Sequence, residues 1–369
     1  MDYKNSKEEH YVAAMVLHAL GDTIGFKNGE WEFNYFNTYD ITSINMTADF
    51  LYDFIDLGGI NGINLENWIV SDDTILNIAT ARSIVSSHGI YNDKMINATK
   101  KEFIEAYEQM IKDGDDNLER YPGKTTMKYI EMFNKGTDGI KEPYDRNGGG
   151  NGAAMRTMPF GLIFYKDKDT LIESAINMSK LTHNCAVGYL GGLVVALFTA
   201  YALDNIPVAE WGHKMLAELE TQSVRKYITK NPDDYEDYET FLKYWYKYIN
   251  GKFENGKIVK SRANKNIVFR SNYYLKHFTP NEVFSSIGMS GYSATIVAYD
   301  ALIDCDGKWE KLVIYSGLHL GDSDTTCCIA AGLYGAVYGF GDVPDSNLEH
   351  LEFKKDLIML GKALCKLVN

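Results

Sequence analysis

The amino-acid sequence predicts a predominantly α-helical protein. Three observations carry that expectation. Two long runs, Cys185–Leu203 and Thr325–Gly341, hold no charged residue and several glycines. Six further segments repeat apolar residues at helical spacing. Only 7 prolines occur in 369 residues, so long helices are rarely interrupted, and alternating strand patterns are few and short.

The elements follow in order. Glu8–Leu20 places Val12, Ala13, Met15 and Val16 on one side. Thr74–Ser87 follows an Asp-Asp pair and carries Ile75, Ile78, Ala79 and Ala81. Lys101–Lys112, Asp169–Leu181, Val208–Glu220 and Leu348–Leu364 read in the same way. Cys185–Leu203 is long enough to span a bilayer. Its flanks lack a basic cluster, and Gly188 and Gly192 suit close helix contact, so a buried central helix is expected. Thr325–Gly341, with Gly332, Gly335 and Gly339, is expected to pack against it. The stretch Lys226–Lys276 is crowded with Tyr, Lys, Asn and Asp. It reads as an exposed amphipathic helix followed by a hairpin or loop near Asn250–Lys257, or as an insert facing substrate or partner.

Composition bounds the function. Hydrophobic residues make up 45% and charged residues 24%, the balance of a folded protein. The length fits one large domain or about two ordinary ones. The net charge of −13 repels a phosphate backbone or an anionic membrane, so neither is an expected partner. A local pocket for one small anion is still allowed. Five scattered cysteines, with no C-x-x-C, support neither a disulfide framework nor a structural zinc site. The N-terminus lacks the basic-then-apolar layout of a secretory signal, so a reducing, cytoplasmic location is expected. The sequons at Asn45, Asn97 and Asn177 then carry little weight.

Two acidic motifs stand out: Ser71-Asp72-Asp73-Thr74 and Gly321-Asp322-Ser323-Asp324-Thr325. Each begins an apolar helix, where a single Asp is an ordinary cap. Neighbouring carboxylates beside apolar helices repel one another and desolvate poorly. Protons or a cation must neutralise them. Four carboxylates with the hydroxyls of Ser71 and Thr325 form an all-oxygen set, which suits Mg²⁺ or Mn²⁺ rather than zinc. The ligand number suits two metals, provided that the two motifs meet in space.

The run Asn147–Arg156 (NGGGNGAAMR) is the strongest loop signal. Consecutive glycines let backbone N–H groups approach a ligand, and a following helix start favours an anion. No buried strand precedes it, so a dinucleotide-binding fold is excluded. A phosphate cradle or a plain flexible loop remains. His183 ends a helical pattern and is either a structural residue or a donor to an oxygen. In Asn28–Phe33 (NGEWEF), Glu32 beside Trp31 is either a carboxyl of raised pKa serving as an acid, or part of a surface turn.

Together these residues resemble the ADP-ribosylglycohydrolase family, most closely its ADP-ribosylarginine hydrolases. The matching blocks are Tyr11–Phe33, Trp68–Thr80, Gly149–Met158, Thr182–Leu203 and His319–Phe340, with smaller matches at Gly59–Gly62 and Ile296–Ile303. The resemblance covers nearly the whole chain in the same order. It implies a single all-α domain over residues 1–369, with the polar segment at about 226–276 as an insert. It also implies a binuclear site for two Mg²⁺ or Mn²⁺ ions, held by Ser71, Asp72, Asp73, Asp322, Asp324 and Thr325. Gly149, Gly150, Asn151, Gly152 and Met155 look like the cradle for diphosphate and ribose, with His183 as a further contact. The implied reaction cleaves the N-glycosidic bond between ADP-ribose and an arginine side chain. Asp73 or Asp322 would act on the attacking water, and Glu32 would gate the site or protonate the leaving group. ADP-ribosylated proteins are the implied partners and ADP-ribose the product, with the enzyme acting as a monomer.

The sequence departs from the family pattern at Ser290–Thr295. Relatives often carry Gly-His-Asp-Ala-Pro after a glycine- and serine-rich loop, whereas here Tyr292 and Ser293 stand in place of the His and Asp. Gly291 and Tyr292 are expected on that side of the ligand. The departure keeps a second reading open, in which ADP-ribosylserine, poly(ADP-ribose) or an O-acyl ester is the substrate. A non-catalytic ADP-ribose-binding relative is a third.

Overall fold

The computed structural model describes residues 6–33, 46–228, 231–259, 267–279 and 284–368; within these, only the backbone of 46–48 and 267–269 is described. The sequon at Asn45 and the insert residues 229–230 and 260–266 lie outside them. The described chain is all-α apart from one two-stranded hairpin.

Two helices form the centre. Lys7–Phe26 is buried along nearly its whole length, from Tyr11 to Phe26. It lies against Ser323–Tyr338, which is buried from Ser323 to Ala336. Small residues permit that approach. A Cβ on Gly21 would come 2.5 Å from the Cys327 carbonyl oxygen, and one on Gly335 2.5 Å from that of Ala13. Ser323 Oγ donates to Gly25 O at 2.8 Å across the same interface. The uncharged run Cys185–Leu203 forms the helix Ala186–Leu203, enclosed by the rest of the protein. It touches Ser323–Tyr338, as expected, but the larger partner of Ser323–Tyr338 is the N-terminal helix. The glycines of Ala186–Leu203 serve other neighbours: a Cβ on Gly188 would lie 1.9 Å from Gly148 O, and one on Gly191 2.7 Å from the Gly291 Cα.

The remaining helices depart from the sequence reading mainly at their ends. Asp72–Ser86 begins two residues early because Ser71 caps it, accepting the Asp73 N–H at 3.1 Å. The pattern over 348–364 divides into Ser346–Glu349 and Lys354–Val368, with Phe353 in the left-handed region at φ 55° between them. Val208–Glu220 resolves into a short 3₁₀ turn and the helix Trp211–Leu219.

The insert contains the expected helix, Pro232–Lys252, which buries Tyr238, Phe241, Leu242, Trp245, Tyr248 and Ile249 on one face. A hairpin follows, pairing Phe253 with Ile258 around Asn255 and Gly256, both at positive φ as a tight two-residue turn requires. The insert also carries load. Asp234 accepts the Ala186 N–H at 2.8 Å and so caps the buried helix Ala186–Leu203, whose own N-cap residue Cys185 supplies no side-chain bond. Lys252 and Arg270 pair with Asp300 and Asp304 at 2.5–2.8 Å, joining Pro232–Lys252 and the helix Ile267–Phe278 to Gly291–Asp304 through a buried set of two cations and two anions.

Candidate active site

The two acidic motifs, separated by about 250 residues, meet in one cavity of about 520 Å³. Asp72 and Asp73 enter it from the first turn of Asp72–Ser86, and Asp322, Asp324 and Thr325 from the start of Ser323–Tyr338. Glu32 joins them. It is 5% exposed, and its Oε2 has no hydrogen-bond partner among the described residues, so the surface-turn reading of Asn28–Phe33 does not hold. That segment is pinned from beneath. Asn28 accepts the Ile69 N–H at 2.9 Å and donates to Asn67 O at 2.9 Å, while Trp31 Nε1 donates to Asp53 at 2.7 Å. One oxygen each of Glu32, Asp322 and Asp324 lie within 4.8 Å of one another, close enough to share an ion.

Electrostatics make the case for that ion. Burial pushes the Asp72 carboxyl up to about 8, and Asp22 and Asp322 add to the shift. Glu32, Asp73 and Asp324 are raised well above the carboxylate range, first by burial and then by their acidic neighbours. Alone, the cluster would hold protons. Divalent cations replace those protons with charge the oxygens can coordinate. The donor set, all oxygen and with an orphaned buried Glu32 Oε2, fits one or two hard cations.

The support beneath the acidic helix was not legible as such in the sequence. Asp22, fully buried, accepts the backbone N–H groups of Ser71 and Thr74, each at 3.1 Å. Its signal was a lone Asp between Gly21 and Thr23 in the otherwise uncharged stretch Tyr11–Phe26. Arg120, 3% exposed, makes paired bonds to Glu352 at 2.8 and 3.0 Å and one to Asp113 at 2.6 Å. Its guanidinium also donates to Val70 O, and its carbonyl accepts the Asp72 N–H. Cys328 Sγ donates to Asp73 at 3.2 Å.

The glycine-rich loop forms the opposite wall. It is tied down rather than free: Asn151 N–H donates to Met289 O at 3.1 Å, Asn151 Nδ2 to Gly288 O at 2.9 Å, and Gly150 bridges Ser290. Gly150, Asn151, Gly152, Met155 and His183 line the cavity. Gly149 does not; it packs on Phe284, whose ring would meet its Cβ at 2.9 Å. The helix start expected after the loop is a single 3₁₀ turn, Ala154–Arg156, followed by the short helix Met158–Phe164. An anion here therefore meets loop N–H groups rather than a long helix axis.

Three other expected positions lie off the cavity wall. Ser71 is fully buried, with its Oγ accepting the Asp73 N–H, so its placement is that of a cap. Gly291 opens the helix Gly291–Asp304, and its Cβ position would lie 2.0 Å from Val187 O. Tyr292 stacks on Tyr244 at 4.4 Å, 3% exposed. Helical phase turns both Gly291 and Tyr292 into the core, which corrects their placement beside the ligand. Phe33, Tyr121, Lys124 and Phe284 line the cavity instead.

The profile of the ADP-ribosylglycohydrolase family matches residues 4–369. The chain belongs to the ADP-ribosylglycohydrolase family. It is 33% identical to the ADP-ribosylhydrolase ARH1 of Dictyostelium discoideum, over 97% of this chain and 94% of that protein. It is 34% identical to a protein of Acanthamoeba polyphaga mimivirus whose name places it among ADP-ribosyl glycohydrolases, over 93% of this chain and 67% of that one. A solved structure described as an ADP-ribosylglycohydrolase-related protein complex superposes with a TM-score of 0.60, covering 98% of this chain and 99% of its own at 17% identity. That likeness bears on the fold. For this family member, the acidic cavity and its glycine wall are the places where chemistry can occur.

Proposed function

We propose that this protein is a metal-dependent hydrolase that releases ADP-ribose from arginine side chains of modified proteins. The observation that carries the reading is the convergence of Glu32, Asp72, Asp73, Asp322 and Asp324 in a cavity whose facing wall is Gly150–Gly152. Family membership supports ADP-ribosyl hydrolysis. Glu32 supports the linkage: two divalent ions would neutralise the four aspartates, leaving the buried Glu32 carboxyl, whose Oε2 has no partner among the described residues, to hold a proton for the leaving guanidine. Gly291 and Tyr292 lie behind the cavity wall, so the departure at Ser290–Thr295 does not weigh against arginine.

Asp72, Asp73, Asp322, Asp324 and Thr325 would hold the cations, with Glu32 beside them. Two bound Mg²⁺ or Mn²⁺ ions supply charge neutralisation and Lewis acidity toward the ribose hydroxyls. The residues of the chain do the rest. Gly150–Gly152 and His183 hold the diphosphate and ribose. Water adds to the anomeric carbon as the carbon–nitrogen bond breaks. One water proton passes to Asp73 or Asp322, and the leaving guanidine nitrogen takes a proton from Glu32. Met155 closes the inner wall against bulk water. We read the chain as one catalytic domain acting as a monomer, and its five buried free cysteines favour a reducing compartment such as the cytoplasm. Release of ADP-ribose from an arginine-modified peptide, with and without a chelator, tests the proposal.

A further inference from the structure

Behind the cavity-lining His183 lie two buried side chains, Thr182 and Arg156, that the proposed reaction leaves without a role. Arg156 Nη2 lies 2.6 Å from Thr182 Oγ1, and Thr182 Oγ1 lies 2.7 Å from His183 Nδ1. The three residues are 1%, 0% and 2% exposed. The guanidinium rests over the Phe103 ring at 4.8 Å.

Proton counting fixes the direction of these hydrogen bonds. A guanidinium only donates, so Arg156 occupies one lone pair of the Thr182 oxygen. The Thr182 hydroxyl has one proton of its own. Among the described residues, the acceptor it reaches is His183 Nδ1. Were the imidazole proton on Nδ1, two donors would converge on Thr182 Oγ1. The hydroxyl proton would then be stranded in a dry site, which costs more than a made hydrogen bond gains. His183 therefore keeps Nδ1 bare and carries its proton on Nε2.

That Nε2 faces the cradle. A Cβ on Gly152 would approach it to 2.9 Å and the neighbouring Cε1 to 2.7 Å, and a Cβ on Gly150 would lie 3.7 Å from it. Only glycine at 152 leaves the ring in place. Burial, and then the positive Arg156, push the His183 pKa down to about 3, so the ring is neutral at physiological pH.

We propose that Arg156 and Thr182 are positioning residues that lock His183 as an Nε2–H donor aimed at a phosphate or ribose oxygen of ADP-ribose lying on Gly150–Gly152. The inference rests on the reading of that loop as the ADP-ribose cradle. It makes His183 a fixed neutral donor, which discriminates for an acceptor oxygen at one point of the ligand.

The test is nitrogen NMR on the full-length protein with isotope-labelled histidine, the His183 signals being assigned by their loss in His183→Gln. It is paired with calorimetry of ADP-ribose binding. The wild type is expected to show a neutral His183 protonated at Nε2. Thr182→Val is expected to populate the Nδ1–H form and to weaken ADP-ribose binding about tenfold. Thr182→Ser, which keeps the hydroxyl, should restore the tautomer and bring affinity within about threefold of wild type. A wild-type His183 protonated at Nδ1, or charged at neutral pH, overturns the relay, and this holds even if Thr182→Val fails to fold. A folded Thr182→Val with unchanged tautomer and affinity overturns it as well. Wild-type protein with the expected tautomer but no ADP-ribose binding would instead overturn the cradle reading and the target of the donor.

Discussion

The carboxylate of Asp22 accepts the backbone N–H of Ser71 at 3.1 Å, so a residue of the N-terminal helix caps the helix that carries Asp72 and Asp73. The same oxygen accepts the Thr74 N–H at 3.1 Å. The start of the acidic helix is thus fixed from below, and the two carboxylates inherit their aim from it.

Asp22→Ala removes the acceptor for two buried N–H groups. It should destabilise the protein by about 3 kcal/mol. Turnover should fall further than the folded fraction explains, because Asp72 and Asp73 lose their register. Denaturant unfolding and steady-state kinetics on the same preparation check this. An Asp22→Ala protein as stable and active as wild type would remove Asp22 from the support of the site.

Metal binding should release protons at neutral pH. Asp72 sits at about 8 in the metal-free protein, raised by burial, so it is mostly protonated at pH 7. The sign for stability follows. Its folded pKa lies above the unfolded one, so the native state binds the extra proton between about pH 4 and about pH 8. The metal-free protein therefore loses stability as pH rises through that window, and saturating Mg²⁺ should flatten the loss. Calorimetric titration of Mg²⁺ in two buffers of different ionisation enthalpy measures the protons directly. An enthalpy independent of buffer would contradict the linkage.

Gly150→Val should separate binding from folding. Gly150 has φ −65° and ψ 171°, open to any residue, and the nearest atoms to its Cβ position lie at 3.7–3.8 Å. The backbone therefore tolerates a side chain, which would occupy the cradle. The melting temperature should stay near wild type while ADP-ribose affinity falls at least about tenfold, as calorimetry would show. Normal affinity would take the loop out of the binding site.

Glu32→Gln distinguishes a proton donor from a ligand. As a donor to the leaving guanidine, Glu32 contributes to the chemical step, and its loss should lower kcat by about a hundredfold or more with Mg²⁺ affinity nearly intact. A collapse of Mg²⁺ affinity would assign Glu32 to the metal instead, a role for which its distance to Asp322 and Asp324 also qualifies it.

The acidic pairs and the glycine loop were legible in the sequence because charge beside apolar helices and runs of glycine are visible locally. Their meeting was not. Asp72 and Asp322 come together only because Lys7–Phe26 packs on Ser323–Tyr338, a pairing set by small residues such as Gly21 and Gly335. Gly291 and Tyr292 were misplaced for a related reason. A motif gives chain position, but the phase of the helix Gly291–Asp304 decides which side its residues face, and here that is the core. The caps supplied across the fold, from Asp22 to Ser71 and from Asp234 to Ala186, join residues far apart in the chain, so no local pattern names the helix that each one caps.

Metal-dependent hydrolysis of the arginine linkage is tested most directly by release of free ADP-ribose from an arginine-ADP-ribosylated peptide, in Mg²⁺ and then in EDTA, beside a serine-linked control. The expected result is release from the arginine peptide alone, abolished by EDTA and restored by Mg²⁺. Release from the serine peptide alone, or release undiminished by EDTA, would contradict it.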